Sequence, residues 1–73
     1  MKTINFKGNE NLNTDIGQTA ANIMEKYSGD NTISVEYDGD NIIEHRSDET
    51  IYWSIVNINR YDDGIIENVQ IDC

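Results

Sequence analysis

Apolar and polar residues alternate along most of the chain with the two-residue period of β-strands. Residues 2–7 predict a short first strand with Ile4 and Phe6 on one face, and the turn-forming residues of 8–13 predict a loop after it. Ile33, Val35 and Tyr37 are predicted to share a face of the next strand. The later strands are predicted over 32–37, 41–46, 51–60 and 65–71.

One segment has the period of a helix instead. Its apolar stripe consists of Ile16, Ala20, Ile23, Met24 and Tyr27. Asn13 or Thr14 is suited to cap its start, and Gly29 is suited to end it in a left-handed conformation. Gly17 lowers helix propensity by roughly 1 kcal/mol relative to alanine, so this helix needs packing to persist.

Two Asp-Gly pairs, at 38–39 and 63–64, predict hairpin turns because glycine accepts the positive φ that such turns require. A two-residue turn at 63–64 fixes a register for the last hairpin. That register pairs Arg60 with Glu67, Ile58 with Val69 and Val56 with Ile71.

The strand at 51–60 is apolar on both faces, which one helix cannot cover. Tyr52, Val56 and Ile58 fall on one face, and Ile51, Trp53 and Ile55 fall on the other. A β-bulge near Ser54 and Ile55, or an edge effect, would turn half of the strand toward the core. Alternatively, an exposed apolar patch centred on Trp53 serves a partner or a homodimer.

The predicted order is therefore β-α-β-β-β-β, an α+β fold in which a single helix packs on a four- to five-stranded, mainly antiparallel sheet. With 73 residues, the chain is expected to form one small domain over 1–73.

Charge and composition exclude several classes of function. The 14 acidic and 5 basic residues give a net charge of −9, which excludes a conventional nucleic-acid-binding domain and disfavours an anionic membrane surface. No apolar run is long enough to span a bilayer, no secretion signal is visible, and the single cysteine cannot form an internal disulfide. These features predict a cytoplasmic protein. The abundance of isoleucine and asparagine, with little alanine and no proline, indicates an AT-rich genome such as that of a low-GC bacterium or its phages.

Catalytic and metal-binding residues are scarce. His45 is the only histidine, and its neighbour Glu44 is predicted to point to the opposite face and to be exposed with the other carboxylates. Cys73 is at the terminus, and neither Asp-Gly turn matches a calcium loop. We expect no enzymatic activity, no metal and no cofactor.

Carboxylates crowd into the predicted turns, where they can occupy the positions of phosphates on a cationic groove. Trp53 and Tyr61 are candidate aromatic anchors beside them. The two hairpin turns share one end of the sheet only if the strands are adjacent in sequence order. The predicted partner-binding residues are Asp38, Asp40, Asp48, Glu49, Trp53, Tyr61, Asp62 and Asp63.

In size, charge and composition the whole chain resembles small acidic phage-encoded inhibitors of bacterial defence, namely anti-CRISPR proteins and DNA-mimic antirestriction proteins. The resemblance includes no motif. It implies a non-enzymatic inhibitor that blocks the nucleic-acid-binding groove of a larger basic protein or nucleoprotein complex in the host bacterial cell.

Three other functions fit the same sequence. An immunity or antitoxin-like protein would neutralise a basic nuclease through the same electrostatics. A phage accessory protein would assemble as a homo-oligomer through the Trp53 face. A ligand-sequestering protein would need a cavity at a dimer interface, although a net charge of −9 disfavours anionic nucleotides.

Overall fold

A computed structural model of the protein describes residues 1–7 and 15–73. The predicted order β-α-β-β-β-β and the α+β class are confirmed. The predicted loop at 8–13 and the predicted caps Asn13 and Thr14 lie outside the described residues. The elements are β1 (Lys2–Asn5), α1 (Ile16–Lys26), β2 (Thr32–Tyr37), β3 (Ile42–Arg46), β4 (Thr50–Arg60) and β5 (Ile66–Asp72).

The five strands of the described residues form one curled sheet in the order β1-β5-β4-β3-β2, and every neighbouring pair is antiparallel. The long strand β4 joins two halves, since its first residues pair with β3 and its later residues pair with β5. From β2 to β5 each strand lies beside the next one in sequence. The β2–β3 and β4–β5 turns therefore share one end of the sheet, which we call the turn end, and the β3–β4 turn lies at the other.

Helix α1 covers one face of this sheet and completes the core. Phe6, Ile42, Val69 and Ile71 are the largest fully buried side chains of the described residues. The helix contributes part of its predicted stripe, but Tyr27 is 69% exposed, so its assignment to the stripe was wrong. The buried helix residues are Gly17, Thr19, Ala20, Ala21, Ile23 and Met24.

The two ends of α1 differ from the sequence prediction. Asp15 is the N-cap, because its carboxylate accepts a hydrogen bond from the backbone N–H of Gln18 at 2.8 Å. At the other end, the Tyr27 N–H donates to the Ile23 carbonyl and the Ser28 hydroxyl donates to the Glu25 carbonyl. These bonds satisfy terminal carbonyls without a left-handed residue, so the predicted role of Gly29 was wrong: positive φ occurs only at Gly39 and Gly64 in the described part of the chain.

Gly17 is required by packing. It is buried against the ring of Tyr37, and a Cβ at this position would collide with that ring. The low helix propensity of glycine is therefore the cost of a close approach between α1 and β2.

A β-bulge explains the two apolar faces of β4. Ile55 pairs with Ile71 and Asn57 pairs with Gln70, which leaves Val56 without a partner on β5. The extra residue reverses the alternation, so Ile58 returns to the helix-facing side that carries Trp53 and Ile55. The predicted bulge is confirmed, one residue beyond the expected position.

The register of the last hairpin was only partly predicted. The pair of Ile58 and Val69 is confirmed, but Arg60 pairs with Ile66 and not with Glu67, and Val56 does not pair with Ile71. The turn holds three residues, 62–64, because the N–H of Tyr61 bonds to the carbonyl of Ile65. A second irregularity, at Glu67, offsets this additional turn residue.

Strand β2 contains a similar irregularity. Thr32 pairs with Arg46 and Ser34 pairs with His45, so Ile33 is the extra residue and is 70% exposed. The prediction that Ile33 shares a face with Val35 and Tyr37 was therefore wrong.

Candidate functional site

Trp53 belongs to a buried polar cluster and is 9% exposed. Its indole N–H donates to Oε1 of Glu44 at 3.1 Å, and the hydroxyl of Thr32 donates to Oε2 at 2.6 Å. The guanidinium of Arg46 holds both carboxylate oxygens, with Nη2 at 3.2 Å from Oε1 and Nε at 3.1 Å from Oε2. The predicted exposed patch centred on Trp53 was wrong, and so was the predicted exposure of Glu44.

The environment of Glu44 keeps it ionised. Burial by itself raises the pKa of Glu44, but hydrogen bonds from Arg46, Thr32 and Trp53 together with the charge of Arg46 lower it below its ordinary value. Both oxygens of this carboxylate have partners, so the cluster connects β2, β3 and β4 through side-chain hydrogen bonds.

The β2–β3 turn presents Asp38 and Asp40 to solvent. One carboxylate oxygen of Asp38 accepts the backbone N–H groups of Asp40 and Asn41 at 2.8 and 2.7 Å, which lowers the pKa of Asp38. The N–H of Asp38 bonds to the carbonyl of Asn41, so Gly39 and Asp40 are the central residues. The predicted hairpin is confirmed, with its turn one residue later than expected. Gly39 has φ +101° at the first central position, where type II′ turns take glycine.

The β4–β5 turn presents Asp62 and Asp63. The carboxylate of Asp63 accepts the N–H of Ile65 at 3.0 Å, and Gly64 supplies a positive φ of +89°. Arg60 forms no ion pair with these carboxylates in the described structure, and its guanidinium donates to the carbonyl of Gly64 at 2.8 Å. Tyr61 is 46% exposed beside them.

Both turns border one groove of about 770 Å³ between the N-terminus of α1 and the sheet. We call it the acidic groove. Asp15 lines it directly, and Gly39 and Gly64 place the two acidic turns on its rim. Its apolar floor includes Ile58 and Ile65, which are 38% and 45% exposed. The lining residues are Asp15, Ile16, Gly17, Tyr37, Gly39, Ile55, Ile58, Arg60, Gly64, Ile65 and Ile66.

The structure thus brings together only part of the predicted site. Asp38, Asp40, Asp62 and Asp63 share the turn end, whereas Asp48 and Glu49 lie in the β3–β4 turn at the opposite end. Asp48 and Glu49 therefore do not belong to the same end of the molecule as the two acidic hairpin turns. Trp53 is enclosed in the core, and Tyr61 lies beside the groove.

Sequence reasoning missed Asp15 and Ile65 as groove residues. For Asp15, the available signal was its position just before the helix. A residue that caps a helix lies near any turn against which the N-terminus of that helix packs. Nothing in the local sequence distinguishes Ile65 from a core residue.

Groups with catalytic potential are scattered. His45 lies on the sheet face opposite α1, with its Nε2 3.7 Å from a carboxylate oxygen of Glu36, and Cys73 is exposed at the chain end. In the described ranges, no three His, Cys, Asp or Glu side chains form a cluster that could hold a metal ion. No helix of residues 1–7 and 15–73 has the length and apolar character needed to cross a bilayer.

Comparisons of this chain with family models, with curated proteins and with solved structures found no match.

Proposed function

We propose that this protein is a non-enzymatic inhibitor that places its turn end on a cationic, nucleic-acid-binding groove of a partner protein. The observation that carries the proposal is the convergence of two acidic turns and the Asp15 cap on one groove. Asp15 lies in the lining of this groove together with the basic residue Arg60, and the parts 38–40 and 62–63 supply further carboxylates beside it.

The charges of this surface are available to a partner. Asp15, Asp38, Asp40, Asp62 and Asp63 are all exposed, and none forms an ion pair with a described residue. Unpaired carboxylates on a rigid turn steer association with a cationic partner at long range. Hydrogen bonds to backbone N–H groups hold the Asp38 and Asp63 carboxylates in place, so little side-chain entropy is lost on binding.

The apolar floor of the groove can contribute binding affinity that the carboxylates alone would not provide. Ile58 and Ile65 expose apolar surface in the groove, and Tyr61 exposes its ring next to the β4–β5 turn. Interfaces gain most of their affinity from desolvated apolar and aromatic side chains, while charged rims set the association rate. A basic protein surface with apolar side chains between its lysines and arginines fits this arrangement.

The nature of the target follows from the resemblance to acidic phage-encoded inhibitors. We propose a host defence effector that handles nucleic acid, such as a CRISPR nuclease or surveillance complex, in the bacterial cytoplasm. A basic toxin nuclease would be recognised by the same surface, and identification of the captured protein separates the two. Assembly through a Trp53 face is not proposed, because Trp53 is buried.

Capture from a low-GC bacterial lysate tests the proposal. The bait is the tagged protein, and captured proteins are eluted with a short DNA duplex or with rising salt and identified by mass spectrometry. We expect a basic nucleic-acid-binding protein that the duplex releases, because DNA and the turn end would occupy the same groove.

A matched pair of variants shows whether the turn end makes the contact. Asp38→Asn, Asp40→Asn, Asp62→Asn and Asp63→Asn together remove four charges but keep the side-chain acceptors that hold the turns. This variant should lose capture by at least about tenfold, whereas Asp48→Asn with Glu49→Gln at the opposite end should retain it. With the partner purified, Asp62→Lys with Asp63→Lys should slow association and flatten its salt dependence. Capture that the duplex does not release, or equal capture by the fourfold variant, contradicts the proposal.

A further inference from the structure

The three lysines of this acidic protein lie on one side, whereas Arg46 belongs to the Glu44 cluster and Arg60 lines the acidic groove. Lys2 and Lys7 line a second groove, of about 490 Å³, between the edge strand β1 and the C-terminal half of α1. Lys26 lies next to it, with Nζ 5.4 Å from the centroid of the Tyr27 ring, and Tyr27 is part of the lining. All three lysines of the chain therefore surround what we call the β1 groove.

No carboxylate lines this groove among the described residues. Neither Lys2 nor Lys26 has an ion-pair partner in residues 1–7 and 15–73. A cationic site persists here although the chain as a whole carries a net charge of −9. Its electrostatic complement is anionic.

Strand β1 is at the end of the strand order, and within residues 1–7 and 15–73 it pairs with β5 alone. The N–H of Phe6 bonds to the carbonyl of Glu67, so by the antiparallel alternation Thr3 and Asn5 direct their backbone groups away from β5. These outward N–H and C=O groups can pair with an added strand.

The opposite edge of the sheet is protected. On β2, the N–H of Val35 donates to a carboxylate oxygen of Glu25 at 2.8 Å, so a helix side chain occupies an outward donor. No comparable bond from another described element occupies Thr3 or Asn5. The asymmetry leaves β1 as the edge that can accept a strand.

The groove has an apolar floor next to that edge. Ile4 of β1 and Ile23 and Met24 of α1 line it, and the exposed ring of Tyr27 closes one end. Alternate side chains of a strand added to β1 would face this floor, since strand residues point to the two faces in turn. The added strand is therefore expected to carry apolar residues at the positions that face this floor and carboxylates at the positions next to the lysines.

We propose that the β1 groove binds an extended acidic peptide segment of another protein by addition of a strand to β1. A second copy of this chain is disfavoured, because antiparallel pairing of two β1 strands would bring their lysines together, and the β2 edge is blocked by Glu25. The site lies apart from the turn end, so it gives the protein a second point of attachment.

Binding of a synthetic peptide tests the proposal. The probe is a capped hexapeptide that alternates carboxylate and β-branched residues, and its counterpart carries lysine in place of each carboxylate. We expect the acidic peptide alone to bind, with amide chemical-shift changes at Thr3 and Asn5. Lys2→Gln with Lys26→Gln should weaken binding by about tenfold. Arg60→Gln with Tyr61→Asp lowers the net charge equally at the turn end and should have little effect.

The backbone contact has its own pair of variants. Thr3→Pro removes one outward N–H and is tolerated at an edge, whereas Thr3→Val keeps that N–H. Only Thr3→Pro should abolish peptide binding, with both variants retaining the circular dichroism of the original protein. The fourfold Asp→Asn variant of the turn end should bind the peptide normally, which separates this site from the proposed function. The proposal is overturned if the acidic peptide does not bind or if the basic peptide binds equally well. It is also overturned if Thr3→Pro leaves peptide binding unchanged or if the protein associates with itself through β1.

Discussion

The indole N–H of Trp53 on β4 donates to the carboxylate of Glu44 on β3, across two neighbouring strands and inside the core. This bond links the largest aromatic side chain of the protein to its only buried carboxylate among the described residues. Arg46 and Thr32 complete the shell of donors around Glu44. Trp53 is therefore a reporter of the core, and Glu44 is the residue on which the polar cluster depends.

Replacement of Glu44 should destabilise the protein strongly. Glu44→Ala removes the acceptor of three side chains and leaves the Trp53 N–H buried without a partner. We expect the free energy of unfolding to fall by roughly 3 kcal/mol, the usual cost of breaking a buried charged pair. Urea unfolding followed by Trp53 fluorescence measures it, with Glu49→Ala in the exposed β3–β4 turn as the control. A midpoint equal to that of the control would contradict this role.

The same carboxylate should make stability depend on pH. Because the pKa of Glu44 is lower in the folded state, its ionisation stabilises the fold above the ordinary glutamate pKa of about 4.3, and that contribution is lost as pH falls through the folded pKa. Protonation of the exposed carboxylates relieves charge repulsion at the same time, so the comparison must be with Glu44→Gln. The difference in unfolding free energy between the two proteins should shrink from about pH 6 to about pH 3. A constant difference over this range would exclude a lowered pKa at Glu44.

Gly17→Ala should destabilise the protein although alanine favours helices. The added methyl group collides with the ring of Tyr37, and overpacking typically costs about 1–3 kcal/mol, more than the roughly 1 kcal/mol gained in helix propensity. In a Tyr37→Ala background the collision is absent, and the same change should then be neutral or stabilising. Thermal unfolding of the four proteins of this double-mutant cycle measures the coupling. Equal effects of Gly17→Ala in the two backgrounds would show that the ring does not limit this position.

Deletion of Val56 should be tolerated better than deletion of a paired residue. Without Val56, Ile55 and Asn57 become consecutive, and their present partners Ile71 and Gln70 are already consecutive on β5. The strand would become regular with every later side chain on its present face. Deletion of Tyr52, which pairs with Ile43, has no such compensation and moves Ile51 to the opposite face. Cooperative urea unfolding should persist for the first deletion and be lost or greatly weakened for the second.

Local signals in the sequence were enough for the element order and, to within two residues, for the strand boundaries. The bounds of β2 were predicted without error, and the hairpins followed from two glycines that need a positive φ. These features depend on residues close together in the chain. The bulge in β4 was also anticipated, because a strand that is apolar on both faces conflicts with a single covering helix.

The sequence prediction was wrong for residues whose burial depends on a partner that is distant in the chain. The sequence prediction placed Glu44 on the surface with the other carboxylates, but donors from β2 and β4 make its burial favourable. It placed Tyr27 in the helix stripe, yet the ring lies past the last residue of α1 and beside the β1 edge. Ile33 followed the alternation of β2, but the irregular pairing with β3 turned it outward.

By itself, the sequence determined the class of fold, the hairpins and the excess of negative charge, since each depends on composition or on spacing of a few residues. Only the tertiary structure decided which charges act together. Because β2 to β5 are adjacent in sequence order, the turns at 38–41 and 62–64 lie at one end of the sheet, and Asp48 and Glu49 lie at the other. The packing of α1 places Asp15 in the acidic groove, and the lysines lie around β1. The physical reason is that electrostatic and packing energies depend on distances in space, and strand order and sheet curl set those distances.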